Sequence, residues 1–381
     1  MKPMIPLARP DIGPAEIQAV EQVLRSGRLS IGPKLKAFER AVADRAGRKH
    51  GIGVNSGTSG LHLCVRGLGI GPGDEVITTP FSFIATANCI LYENAKPVFV
   101  DIDPDSYNMD PDRIEQAITP DTKAILPVEV FGNTAHFDRY AEIAQKHGLK
   151  LIEDCCEAMG ASLDGRAAGS FGDCGVFAFY PNKQITSGEG GIVVTDDDSF
   201  ARLLRDLRSQ GKSDRNACQY EHIGFNYRMT EFSAALGEQQ MHRLDQILQD
   251  RRQVAEWYND ALADIDEIRL PPRANPQGAS WFVYVIRLAD NLTAEDRTHV
   301  LQHLHDENIG SELYFVPIHV QPYITRAFGY KRGDFPLTEA LSARTIALPF
   351  FTSMTRQQID RVADALKQAI ATCPARKGRR A

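Results

Sequence analysis

The sequence predicts an α/β fold: a mainly parallel seven-stranded sheet covered by helices, followed by a small α+β C-terminal unit. Three observations carry this. Seven short apolar runs alternate with amphipathic stretches between His50 and Thr195, the pattern of an open parallel sheet with helices on both faces. From Thr230 helical spacing takes over for more than thirty residues. Beyond Pro271 and Pro272 the order starts again as strand, helix, strand and helix. A chain of 381 residues is also too long for one simple core, which favours a large domain plus a smaller one. The boundary is expected near Asp250, dividing the chain into 1–250 and 251–381.

In order, Pro14 opens a helix with Ile17, Val20 and Leu24 on one face, and Gly27 ends it,. A second helix carries Leu35, Phe38 and Val42. The strands are expected at His50–Val54, Glu75–Thr79, Pro97–Asp101, Lys123–Val128, Lys150–Glu153, Gly175–Phe179 and Gly191–Thr195,. Phe137–His147 is an amphipathic helix with Tyr140, Ile143 and Ala144 on one side. Phe232, Leu236, Leu244, Ile247, Leu248, Val254, Trp257 and Leu262 then define one long helix. The small unit reads as strand Trp281–Leu288, helix Thr293–Glu307, strand Ser311–Val316, and a last helix starting with Thr355 and Gln358 at capping-box spacing,.

Composition narrows the function. A net charge of −6 argues against general nucleic-acid binding,. The four basic residues between Ala375 and Ala381 read as a solvated end,. Seven cysteines without zinc or CxxC spacing suggest reduced thiols,. No metal site is expected. No run reaches membrane-spanning length, and MKPMIPLARP lacks the apolar core of a signal peptide,. The expectation is a cytoplasmic enzyme of small-molecule metabolism.

In an open parallel sheet ligands sit beyond the C-terminal strand ends, so the residues just after each strand matter most. Lys183 follows the apolar run Gly175–Tyr180, with Gly188, Gly190 and Gly191 closing the turn behind it. Burial there favours the free amine that Schiff-base chemistry with a carbonyl needs; read alone, a surface lysine at a strand end is the plainer reading. After Val54 comes Asn55-Ser56-Gly57-Thr58-Ser59-Gly60, small residues at a helix start that suit a compact phosphate or act as an ordinary cap. The segment following Thr79 holds Phe81 and Phe83, which either pave a site for a flat ligand or belong to the core. Glu153 and Asp154 end an apolar strand, a costly arrangement unless each finds a partner. A protonated ring nitrogen would serve one of them; a helix cap is the plainer role. Together a lysine, an acid, an anion loop and an aromatic face suit pyridoxal 5′-phosphate.

The stretches GRLSIGP, NSGTSGL, TPFSFIATAN, VFVDID, IEDCCEA, FYPNKQITSGEGG, GFNYRMTE and IHVQPY run through nearly the whole chain. In this combination the sequence resembles the DegT-type sugar aminotransferases, which have the aspartate aminotransferase fold, fold type I of the pyridoxal-phosphate enzymes. The resemblance implies that Lys183 joins the cofactor's aldehyde carbon and later shuttles the proton. It implies that Asp154 partners the ring nitrogen, that Gly57 and Thr58 hold the phosphate, and that Phe83 stacks on the ring. Glu157 stands where relatives contact cofactor or substrate. Asn226 stands where relatives reach the phosphate of the other subunit, which implies a homodimer with shared active sites. The implied reaction moves an amino group, with glutamate the expected donor, to a keto sugar, expected to be a nucleotide-linked keto-deoxyhexose for surface polysaccharide or modified-sugar synthesis. A keto-cyclitol acceptor and a non-catalytic regulatory protein of the same fold stay open as alternatives. Two departures stand out. Ala178 replaces the serine whose hydroxyl helps hold phosphate in many members, and Glu129 replaces a common histidine. Lys183 itself argues against the branch that carries histidine there and performs dehydration.

Overall fold

The computed structural model describes residues 3–212, 219–271 and 278–374. Pro272 and the basic stretch 375–381 lie outside them. The seven expected strands form one sheet in the spatial order His50–Val54, Gly191–Thr195, Cys174–Ala178, Lys150–Asp154, Thr122–Leu126, Glu75–Thr78 and Lys96–Phe99. Gly191–Thr195 alone runs against its neighbours. The strands are nearly continuous apolar runs because both faces are covered. On one face Ile52, Val54, Leu61, Val65, Val76 and Phe200 share a core. On the other face Phe38, Val42, Phe177 and Val194 pack together towards one edge of the sheet, and Ile77, Ile125, Phe137 and Tyr140 towards the opposite edge.

Helix Pro14–Ser26 ends at Gly27, whose φ of 69° is a left-handed C-cap that glycine adopts without penalty,. Its buried side is not the one expected. Glu16, Ala19 and Val23 face inward, while Ile17 and Leu24 stay 61% and 57% exposed. The inward positions pack on helix Glu231–His242, where Ala235 joins Ala19 and Val23.

The single long helix expected after Thr230 is two helices, Glu231–His242 and Leu244–Leu262. The break falls at Arg243, whose guanidinium is held by Asp11 at 2.6 Å and Glu16 at 2.8 Å. Asp250 lies within the second helix.

The C-terminal part has a three-stranded antiparallel sheet of Ile268–Arg269, Tyr284–Leu288 and Thr345–Leu348. The strand expected over Ser311–Val316 does not form; Glu312 makes one bridge to Ala347. Tyr314 and Phe315 turn instead to stack near Phe131 and Phe282. The last helix, Arg356–Ala371, has the expected capping box between Thr355 and Gln358. One core gathers residues of this part, from Val254 to Cys373, and includes Ile5. Ile5 bonds along Asn308 and Gly310 as a parallel bridge to Ile309, and Leu7 accepts from Phe350.

Candidate functional site

The residues singled out in the sequence follow the C-terminal ends of the strands, where the strand-to-helix turns expose backbone groups,. After Val54, Ser56 caps helix Gly57–Gly67 by accepting from the Ser59 N–H at 3.1 Å. That leaves the Gly57 and Thr58 N–H groups at the free positive end of the helix, a ready anion site. Gly57 is buried so tightly that a β-carbon there would come 2.7 Å from the Ala178 Cβ and 2.9 Å from the Cys156 Sγ. The alanine at 178 therefore belongs to a floor with little room beneath the anion loop.

Strand alternation separates the two acids that end Lys150–Asp154. Glu153 accepts from the Gly169, Phe171 and Gly172 N–H groups at 3.0, 2.6 and 2.6 Å, with Arg48 at 3.7 Å. Burial pushes its pKa up to about 7 against the pull of those donors. Asp154 is 4% exposed and takes one hydrogen bond on each oxygen: Thr86 Oγ1 to Oδ2 at 2.8 Å and the Cys156 N–H to Oδ1 at 3.2 Å. Each oxygen keeps a lone pair for a further donor. Thr86 in turn meets the Ser82 hydroxyl at 2.8 Å. One turn before Thr86, the large apolar Phe83 side chain is 60% exposed.

Lys183 stands between a carboxylate and a ring. Its Nζ is 3.6 Å from Glu157 Oε1, an ion-pair contact too long for a hydrogen bond,, and 4.0 Å above the Phe282 ring centre. Its side chain is 14% exposed. Arg251 fixes this geometry by donating to the Lys183 carbonyl at 2.9 Å and to the Phe282 carbonyl at 3.2 Å. Gln184 reaches the Glu157 carbonyl and Ser280, tying the turn behind the lysine. Glu157 Oε2 accepts from the Phe131 N–H at 2.9 Å. Burial raises its pKa, Lys183 and the Phe131 N–H counter this, and Asp154 adds to the rise.

Lys183 and Glu157 thus stand together, Asp154 and Gly57 meet through Cys156, and Phe83 lies one turn before Thr86, the partner of Asp154. Asn226 is exposed on the same chain, its carbonyl accepting from the Asn55 side chain at 3.5 Å, next to the anion loop. Glu129 is fully buried with neither oxygen hydrogen-bonded among the described residues. Burial and then the Glu153 charge push its pKa well up.

The sequence reading missed the aromatic wall. Phe131, Tyr314 and Phe282 form a stacked series from the loop after Leu126 to the C-terminal part, reaching the ring beneath Lys183. No local pattern announces it, because its members meet only through tertiary packing. Thr86 was within reach of sequence reasoning, one helical turn after Phe83.

The chemistry of the residues fits pyridoxal 5′-phosphate: an amine, an acid with spare acceptor capacity, and two free amides at a helix start,. Comparison with known proteins agrees. The profile of the DegT/DnrJ/EryC1/StrS aminotransferase family matches residues 10–367. The chain is 38% identical to the spore coat polysaccharide biosynthesis protein SpsC of Bacillus subtilis, covering 96% of this chain and 97% of SpsC. It is 40% identical to the GDP-perosamine synthase of Caulobacter vibrioides, over 90% of this chain and 91% of that one. Spr1654 of Streptococcus pneumoniae, solved in PLP and PMP forms, superposes in its PLP form with a TM-score of 0.92 at 28% identity, over 97% of this chain and 99% of that one.

Proposed function

The chain belongs to the DegT/DnrJ/EryC1/StrS aminotransferase family, and from that premise we propose that it carries the amino group of glutamate to a nucleotide-linked keto-deoxyhexose. The product would serve surface polysaccharide or modified-sugar synthesis. The carrying observation is Lys183 Nζ held between the Glu157 carboxylate and the Phe282 ring, together with Asp154 and the Gly57–Thr58 amides. When bound, pyridoxal phosphate supplies a carbonyl for amino groups and a ring that takes up electrons released at carbon.

The chain's own groups do the rest. The Gly57 and Thr58 N–H groups bind the phosphate, and Asp154 holds a proton on the ring nitrogen. Lys183 Nζ takes a proton from the donor's α-carbon and delivers one to the former keto carbon of the acceptor. Glu157 balances the charge on Nζ as that proton comes and goes. In net, glutamate becomes 2-oxoglutarate and the keto sugar becomes an amino sugar. GDP-perosamine synthase, at 40% identity, bears the name of an enzyme making a nucleotide-linked sugar.

Among the described residues no helix is long and apolar enough to cross a membrane. A cytoplasmic place goes with the proposed nucleotide-linked substrate. With glutamate and a panel of keto-sugar nucleotides and keto-cyclitols, we expect 2-oxoglutarate and an aminated sugar nucleotide by mass spectrometry. A cyclitol product would move the acceptor class. No product from any acceptor, and no conversion of glutamate in a single turnover, would favour a regulatory protein.

The exposed Ile17 and Leu24 side chains support a homodimer, in which Asn226 would reach the partner's phosphate site. Mixed Lys183→Ala and Asn226→Ala subunits should then recover about a quarter of wild-type activity, because half the dimers are mixed and each of those has one intact site. Asn226→Ala alone should weaken cofactor binding by roughly 1.5–3 kcal/mol. A mixture no better than the mean of its components, after verified exchange, places Asn226 in the service of its own subunit.

A further inference from the structure

His62 is a buried histidine of helix Gly57–Gly67, 4% exposed and about one turn beyond Thr58,. Its Nε2 meets Glu93 Oε1 at 2.7 Å, and Glu93 Oε2 accepts from Arg66 at 2.9 Å. Its Nδ1 meets the Tyr227 hydroxyl at 3.0 Å. Burial lowers the pKa of the ring, while Glu93 pulls the other way. A neutral ring donates its Nε2–H to the carboxylate and accepts the Tyr227 hydroxyl on Nδ1. The same ring packs edge-on against Phe225 with centres 4.8 Å apart. Phe225 and Tyr227 stack on each other at 4.9 Å and 11°.

Those two rings flank Asn226. Their segment is paired as extended backbone: the Tyr227 N–H donates to the Arg208 carbonyl at 3.0 Å, the Asn55 N–H donates to the Tyr227 carbonyl at 2.8 Å, and Asn226 bridges Ser209. In extended chain, side chains two apart share a side and the one between them faces away. Both flanking rings lie on His62, and Asn226 is exposed. Building on the homodimer reading of Asn226, we propose that His62 is a positioning residue that aims Asn226 out of its own subunit and into the phosphate site of the partner.

One helix then serves both active sites. Its first amides, on Gly57 and Thr58, bind phosphate in the site of their own subunit, and its histidine supports the asparagine that works in the other. Losing His62 harms the site built on the partner's Lys183 and spares the one built on its own.

Cofactor affinity, read without turnover from the visible band of pyridoxal phosphate bound to lysine, tests this. His62→Phe keeps a ring and loses both hydrogen bonds; as a homodimer it should raise the Kd about two- to tenfold. Tyr227→Phe loses only the bond to Nδ1 and should move the Kd the same way. Each variant is then paired with Lys183→Ala in a heterodimer purified through two different tags. Only the site with an intact lysine gives the band, and its Asn226 comes from the Lys183→Ala subunit. That band should form at the wild-type Kd. A heterodimer Kd as high as that of the His62→Phe homodimer overturns the proposal, since His62 then serves its own helix. So does a His62→Phe homodimer of wild-type Kd. If His62→Phe does not fold, as judged by circular dichroism, Tyr227→Phe decides alone by the same two measurements. The heterodimer of Asn226→Ala with Lys183→Ala is the control. Failure of that pair to regain the wild-type Kd sinks the cross-subunit reading itself, and the role of His62 with it.

Discussion

Lys183→Ala should abolish transamination while leaving a folded protein that still takes up pyridoxal phosphate without its visible lysine-bound band. The side chain is the only amine placed on both the Glu157 carboxylate and the Phe282 ring among the described residues. Its loss removes the covalent partner of the carbonyl and the proton carrier at once. General acid–base catalysis alone is worth about 10²–10⁴, so the rate should fall on the order of 10⁴-fold or more. The fold should survive because the turn is held by backbone groups. Arg251 grips the Lys183 carbonyl, and Gln184 and Ser280 hold the neighbouring residues. Steady-state assays, spectra and circular dichroism on the same preparation read all three expectations. Turnover in the variant without added amine would rule out the role assigned to Lys183.

Asp154→Asn should cost at least about 10² in rate. The carboxylate is nearly buried, with Thr86 and the Cys156 N–H donating to it. An amide can keep both contacts, its oxygen accepting from the Cys156 N–H while the Thr86 hydroxyl accepts from its NH₂ group. Packing should therefore change little. The lost feature is charge, and without it nothing at this position holds a proton on the ring nitrogen. A variant of normal thermal stability and near-wild-type rate would reduce Asp154 to a capping residue of the turn that follows its strand.

The main frame was legible because the strands are apolar runs covered on both faces, and the residues that matter follow them directly. Lys183, Asp154 and Gly57 could be found that way. What escaped depends on distance in the chain. Phe282 reaches Lys183 through Arg251, and nothing around residue 282 foretells that. The apolar, β-prone stretch Ser311–Val316 reads as a strand, yet Tyr314 and Phe315 find better partners in Phe131 and Phe282 than in a sheet. Helical spacing runs unbroken through Arg243, and only the carboxylates of Asp11 and Glu16, more than two hundred residues earlier, make that position a corner. The inward side of Pro14–Ser26 was misread for a related reason. Small Ala19 and Val23 let helix Glu231–His242 approach closely, which a scale of apolarity does not reward.

Ile5 packs among residues that come as much as about 370 positions later and pairs along Ile309. A ribosome adds roughly 5–20 residues per second, so about 15–60 seconds separate the making of Ile5 from that of Ile309. For that interval its apolar side chain has no native place to go. The sheet domain, whose strands end at Thr195, can assemble from residues already made. The C-terminal core has to recruit a segment that has been waiting since early in translation, and its closure belongs to the last stage of synthesis.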